Sequence, residues 1–193
     1  MNIQLIRSIR DCLSIDATKT VVQAMIISRL DYCNSLLYGI SEKLLTKLQL
    51  IQNAAARLIL CLRKYDHITE ALRTLHWLPI RYRIRYKIAL VTFKVITFNE
   101  PVYLAELLCK NTSSRSLRSS SKMKLTIPWT KLKNGADRSF SVSAPRIWND
   151  LPDQVKQSKT VEEFKKKLKT HLFRLAFQNC EAHWADFVWN SAI

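Results

Sequence analysis

The run Arg81-Tyr82-Arg83-Ile84-Arg85-Tyr86-Lys87 puts four cations and two phenols within seven residues. On a helix, Arg81 and Arg85 share one face, and Arg83, Lys87 and Lys94 share another, with the tyrosines between them. Long cations reach phosphate oxygens while tyrosine rings pack on sugars or bases. The chemistry this spacing offers is therefore contact with a nucleic-acid backbone. A solvated helix face with snorkelling arginines has the same pattern, and the run alone does not choose between the two. A second basic set, Arg115, Arg118, Lys122 and Lys124, lies in a Ser-rich stretch, and Lys131, Lys133, Arg138 and Arg146 extend it. Flexible cationic segments of this kind hold phosphate backbones without reading base sequence. Lys165, Lys166, Lys167 and Lys169 read most simply as the solvated side of a terminal helix.

Bond-making chemistry is harder to find. Two-metal polymerases and nucleases need clustered carboxylates, in polymerases normally including adjacent aspartates. Here the eight aspartates stand singly, and Glu162-Glu163, the one acidic pair, sits where a helix cap is expected. None of His67, His76, His171 and His183 lies in a nucleophile motif. The five cysteines are odd in number, widely spaced and without a CxxC pair, so the expectation is reduced, buried thiols and no zinc site. No enzyme activity, metal or cofactor is expected.

The balance of charge agrees with a polyanionic partner. Thirty-one Lys and Arg against fifteen Asp and Glu leave +16. Each phosphate neutralised by such a chain releases condensed counterions, which drives binding to RNA or DNA through the backbone. Residues 1–109 carry fifteen basic and eight acidic side chains, and residues 110–180 carry sixteen and five, so the second half is the stronger electrostatic candidate. No apolar run approaches the ~20 residues of a membrane span. Ile and Leu at the N-terminus alternate with Arg7, Arg10 and Asp11, unlike a signal peptide. The expected setting is intracellular, with no membrane partner.

The elements that would position these residues are helical. With only two glycines, Gly39 and Gly135, phosphate-cradling loops and turn-rich barrels are disfavoured. The expected fold is mainly α: a helical hairpin plus shorter helices, a small irregular β excursion and a C-terminal helix. One amphipathic pattern runs from Asp16 to Tyr38 and stops at Gly39. A second begins after Ser41, with Leu44, Leu48, Ile51, Ala55, Leu58 and Leu62 on one narrow face. A short helix is expected over Thr69–His76, ended by Trp77-Leu78-Pro79, and Pro79 starts the helix that carries the Tyr/Arg run. Another short helix is expected over Tyr103–Leu108. Alternation in Lys124–Pro128 and in Ser139-Phe-Ser-Val-Ser, around Asn134-Gly135, predicts a β-hairpin or loop excursion. Thr160-Val-Glu-Glu163 predicts a capping box ahead of a helix with Val161, Phe164, Leu168, Leu172 and Leu175 inward. Composition divides the chain into a helical domain (1–109), a basic flexible connection (110–124), a hairpin with the terminal helix (125–180) and a tail (181–193).

Beyond these patterns, particular strings resemble a known family. SRLDYCNSLLYG (Ser28–Gly39), LQLIQNAAARL (Leu48–Leu58), LHWLPIRYRI (Leu75–Ile84), SRSLRSS (Ser114–Ser120), DRSFSVSAPRIWNDLP (Asp137–Pro152) and FKKKLKTHLF (Phe164–Phe173) occur in this order. Together they resemble the region behind the polymerase palm in LINE-type, non-LTR retrotransposon reverse transcriptases of the jockey and chicken-repeat kind. The likeness covers roughly residues 5 to 177. It implies a thumb and post-thumb region that touches the template–primer duplex, with a palm as its neighbour in the full-length parent and the nucleus as its place of work. The family's endonuclease, fingers, palm and catalytic aspartates have no counterpart here, so the resemblance transfers no catalytic residue. The chain opens within what would be the first thumb helix, which implies a fragment. A helical protein-interaction or structural remnant without activity is the alternative expectation.

Overall fold

A computed structural model describes residues 3–109, 124–129 and 138–178 of the chain. The protein is mainly α-helical, and among the described residues no β-strand longer than one bridge residue, Leu125, occurs. Backbone packing separates two compact units. The first takes in 3–34, 40–83 and 173–178, and the second takes in 35–39 and the described part of 84–172.

In the first unit, Ser14 accepts the Ala17 N–H at 3.2 Å and starts helix Ile15–Val22. The helix widens through a π-turn, Gln23–Ile27, and ends with Ser28–Asp31. Ile26 and Ile27 are buried in that turn. Helix Glu42–Leu60 follows Ser41, whose carbonyl accepts the Leu44 and Leu45 N–H groups. Its buried face holds Ala55, Ala56, Leu58 and Ile59 at or near zero exposure, against Val22, Ile27, Leu72 and Trp77. The alanines let neighbouring backbones come close, as their lack of bulk requires. Helix Ile68–Thr74 ends where His76 adopts a left-handed conformation, φ 53°, and Trp77-Leu78-Pro79 runs without regular structure into helix Ile80–Phe98. A buried amide cluster secures that junction. Gln52 Nε2 donates to the Leu78 carbonyl, and the Ile80 N–H donates to Gln49 Oε1, both at 2.9 Å. Gln49 also donates to Gln52 Oε1 and Asn53 Oδ1, so the polar groups of this buried spot satisfy one another.

The second unit is built on aromatic packing. Phe93 and Phe164 stack with centroids 4.1 Å apart, and Trp148 lies 6.1 Å from Phe164. All three are buried, as are Ile88, Val95, Val142 and Leu168 of the same unit. The expected capping box is present. Thr160 Oγ1 accepts the Glu163 N–H at 3.2 Å, and Glu163 Oε2 accepts the Lys159 N–H at 2.9 Å. Helix Val161–Gln178 runs on from it, with Phe164, Leu168 and Leu172 inward as their spacing predicts.

Several expectations are corrected. The β excursion is not a hairpin among the described residues: Ser139-Phe-Ser-Val-Ser143 opens helix Phe140–Asp150. Its apparent alternation is one of residue type, Phe140 and Val142 between serines, whereas the consecutive burial of Val142, Ser143 and Ala144, with Ile147 and Trp148 one turn on, fits a helix face and not period two. The Leu125 stretch is held by one side chain and one backbone bond, from the Thr126 N–H to the Cys109 carbonyl at 2.8 Å. Asn149 accepts the Leu125 N–H and donates to the Leu125 carbonyl, both at 2.9 Å. The expected turn at Asn134-Gly135 lies outside the described residues. The helix expected to reach Tyr38 ends at Asp31, where Tyr32 turns extended and Cys33 takes φ 50°. Gly39, at φ 72°, instead closes a short 3-10 stretch, Asn34–Leu37. The short helix near Pro101 covers Val102–Ala105. Cys12, Cys33, Cys61 and Cys109 are exposed rather than buried. Cys33 and Cys61 occupy left-handed positions at helix ends, where the chain leaves the core. The split at Lys110 read from composition does not coincide with the packing units. Composition marks where charge accumulates, whereas packing follows which helices share apolar neighbours.

Candidate nucleic-acid interface

The arginines of the Tyr/Arg run are each matched to a carboxylate inside the fold. Arg83 is the most committed. Its Nε donates to Asp31 Oδ1 at 2.8 Å and its Nη2 to Asp31 Oδ2, a forked pair with the arginine side chain only 15% exposed. Arg81 pairs with Glu42 on the surface, and Arg85 pairs with Asp150 at 3.0 Å. These three carboxylates lie 39 to 65 residues away in sequence, which is why the run by itself read as free charge. The tyrosines are engaged too. Tyr82 is half-buried and its hydroxyl donates to the Leu175 carbonyl at 3.3 Å. Tyr86 is half-buried, and its phenol is held above the usual value chiefly by burial. Lys165 opposes that shift and Glu162 adds to it.

Lys87 is different. It is exposed, as is Lys94 seven residues on, and neither forms an ion pair among the described residues. Lys124 is likewise exposed and unpaired there. Arg138 is exposed, donates from Nε to the Tyr38 carbonyl at 3.4 Å, and lays its Cγ 3.0 Å from where a Cβ on Gly39 would stand. Arg146 is half-buried and already engaged within the protein. Arg115, Arg118, Lys122, Lys131 and Lys133 lie outside the described residues. On helix Val161–Gln178, Lys165 bonds Glu162 and Lys167 bonds Glu163, each at 2.7 Å, while Lys166 and Lys169 face solvent. These contacts raise the Lys165 pKa, mainly through the Glu162 hydrogen bond, and lower that of Glu163, mainly through the Lys167 bond.

Sequence inspection missed one basic group altogether. In the first unit, Arg7, Arg10, Arg57 and Lys64 line a cleft of about 480 Å³ whose apolar wall includes Ala54, Leu58 and Leu62. Arg10 is anchored there, with Nε and Nη2 donating to the Leu58 and Ile59 carbonyls at 3.1 and 3.2 Å and Nη1 to Leu13 at 2.8 Å. It thereby caps the carbonyl end of helix Glu42–Leu60. Only the i,i+3 spacing of Arg7 and Arg10 hinted at a shared face. Nearly fifty residues separate them from Arg57.

Among the described residues, no group of three or more His, Cys, Asp or Glu side chains is placed to hold a metal ion, and no helix is long and apolar enough to cross a membrane. Comparison of the chain with protein-family models, with curated proteins and with solved structures returns no match in any of the three.

Proposed function

We propose that this chain is a non-catalytic module that binds RNA or DNA through the phosphate backbone, without base specificity. The observation that carries this is uncompensated charge. The chain holds sixteen more cations than anions, and exposed lysines such as Lys87, Lys94, Lys124, Lys166 and Lys169 have no carboxylate partner among the described residues. Such lysines stay hydrated and mobile until a polyanion displaces their counterions. The ordered strings from Ser28 to Phe173 support an origin in a LINE-type reverse transcriptase, in its thumb and post-thumb region. A polymerase palm would be the neighbour in the parent protein.

The test is anisotropy binding of the whole chain to a labelled RNA–DNA hybrid across a salt series. A linear log–log fall in affinity is expected, with Kd at physiological salt around 10⁻⁵ M or weaker. In the Lys87→Gln/Lys94→Gln/Lys124→Gln variant the slope should flatten, by up to ~0.9 per lost phosphate contact. No binding at low salt by the folded chain would refute the proposal.

A second reading, a helical docking module for another protein, has one observation in its favour. Leu44, Leu50 and Ile51 on helix Glu42–Leu60 are 50%, 58% and 40% exposed. It predicts concentration-dependent self-association in sedimentation, and a monodisperse monomer would count against it.

A further inference from the structure

We infer that the cleft between Arg7, Arg10, Arg57 and Lys64 is a binding site for a phosphate group, filled in use by the backbone of a single nucleic-acid strand. The inference deepens the proposed function and rests on it for the identity of the ligand. Four cations line the cleft and no carboxylate does. This sets it apart from the Tyr/Arg run, where Glu42, Asp31 and Asp150 answer the three arginines. Like charges are gathered here at an electrostatic cost that an anion would remove.

Arg57 supplies the second observation. Its Nε–H is buried and has no hydrogen-bond acceptor. The guanidinium makes a single long bond, from Nη2 to the Asp66 carbonyl at 3.4 Å. A buried guanidinium N–H without an acceptor is unfavourable, and a guanidinium held by one long bond is free to turn toward an incoming oxyanion. The Asp66 carboxylate forms no ion pair with Arg57 among the described residues. One of its oxygens already accepts the Arg63 N–H at 2.6 Å. Arg10, fixed by three backbone carbonyls, is a rigid wall, and Arg7 and Lys64 are exposed cations at the rim. A planar, preorganised guanidinium flanked by mobile cations suits a tetrahedral oxyanion better than a planar carboxylate demanding one forked partner.

The neighbouring residue indicates a strand rather than a free ion. Tyr65 follows Lys64, is 87% exposed, and has the Lys64 ammonium 5.5 Å from its ring centre. An exposed ring next to a phosphate pocket is the arrangement on which a base stacks while its backbone is held by cations. The cleft volume, about 480 Å³, exceeds what one phosphate requires and falls in the range of small-ligand sites, about 300–1,000 Å³.

The experiment uses the full chain and two ligands, inorganic phosphate and a labelled oligonucleotide without terminal phosphates. The central variant is Arg7→Gln/Lys64→Gln, because both side chains are exposed and neither holds another residue by an ion pair among the described residues. Lys43→Gln/Lys47→Gln, two exposed lysines outside the cleft, removes the same charge elsewhere. Two lost contacts to a single strand should flatten the salt slope by about 1.4 and weaken binding on the order of 20-fold at 0.1 M salt. The Lys43/Lys47 variant should change both much less. Tyr65→Ala should weaken the oligonucleotide at least roughly fivefold and leave phosphate protection against thermal unfolding unchanged. Arg57→Gln, with its fold verified by circular dichroism, should abolish that protection.

Equal losses in the cleft and Lys43/Lys47 variants would overturn the cleft assignment while leaving the proposed function standing. If the wild-type chain ignores the oligonucleotide but phosphate protects it in an Arg57-dependent way, the site takes free phosphate and the nucleic-acid reading fails. Absence of both responses overturns the two together.

Discussion

Arg83 is the residue at which structural and binding roles part most sharply. The perturbation is a cycle of Arg83→Met, Asp31→Asn and the double variant. A forked, charge-assisted pair loses about 3–5 kcal/mol when one partner is removed deep in a protein, and about 0.2–1 kcal/mol is typical of fully exposed pairs. Arg83 is 15% exposed and Asp31 40%, so water can partly take over the orphaned carboxylate, and the single Arg83→Met cost should fall near 2 kcal/mol. The coupling between the two sites should be about 1–1.5 kcal/mol. For a chain of this size a loss near 2 kcal/mol lowers Tm by roughly 4–8 °C. The assay is urea and thermal denaturation of all four proteins, with salt-dependent hybrid binding measured on the wild type and the double variant. The double variant keeps the net charge, so its log–log slope should match the wild type. A coupling below about 0.3 kcal/mol would refute the structural role, and a slope lower by about 0.9 in a stable double variant would show that Arg83 serves phosphate.

Three further outcomes follow from the packing. Phe164→Ala removes a fully buried ring stacked on Phe93 and beside Trp148, and should cost about 3–5 kcal/mol in urea unfolding, whereas Phe164→Leu should cost clearly less. Gln52→Leu keeps the volume but leaves the Leu78 carbonyl without a partner and takes from the Gln49 amide one of its two acceptors, so it should destabilise by about 1–3 kcal/mol despite being more apolar. Glu163 has a folded pKa below its ordinary value of 4.5, first through the Lys167 bond and then through the Lys159 N–H. Its contribution is therefore complete above that value and is lost as pH falls through the folded pKa. The acid side of a stability–pH curve should be shallower in Glu163→Gln than in the wild type, and superimposable curves would exclude this role.

Local sequence determined most of the helices. Thr160 and Glu163 announced the start of the terminal helix because a capping box is made within four residues. Pro79 separated two helices for an equally local reason, the steric demand of its ring. The chain's excess of charge was also legible, since formal charge depends on composition alone. Tertiary structure decided which of those charges remain available. Arg81, Arg83 and Arg85 lost their freedom to carboxylates at Glu42, Asp31 and Asp150, and nothing in a seven-residue window contains those partners. Arg7, Arg10, Arg57 and Lys64 became one cleft only because the chain between them folds back. Ser139–Ser143 shows the same division at the level of secondary structure. Two periodicities fitted its residues, and burial of Val142, Ala144, Ile147 and Trp148 in helix Phe140–Asp150 selected one. Pattern is a property of neighbours along the chain, whereas electrostatic pairing and burial depend on distances that exist only after folding.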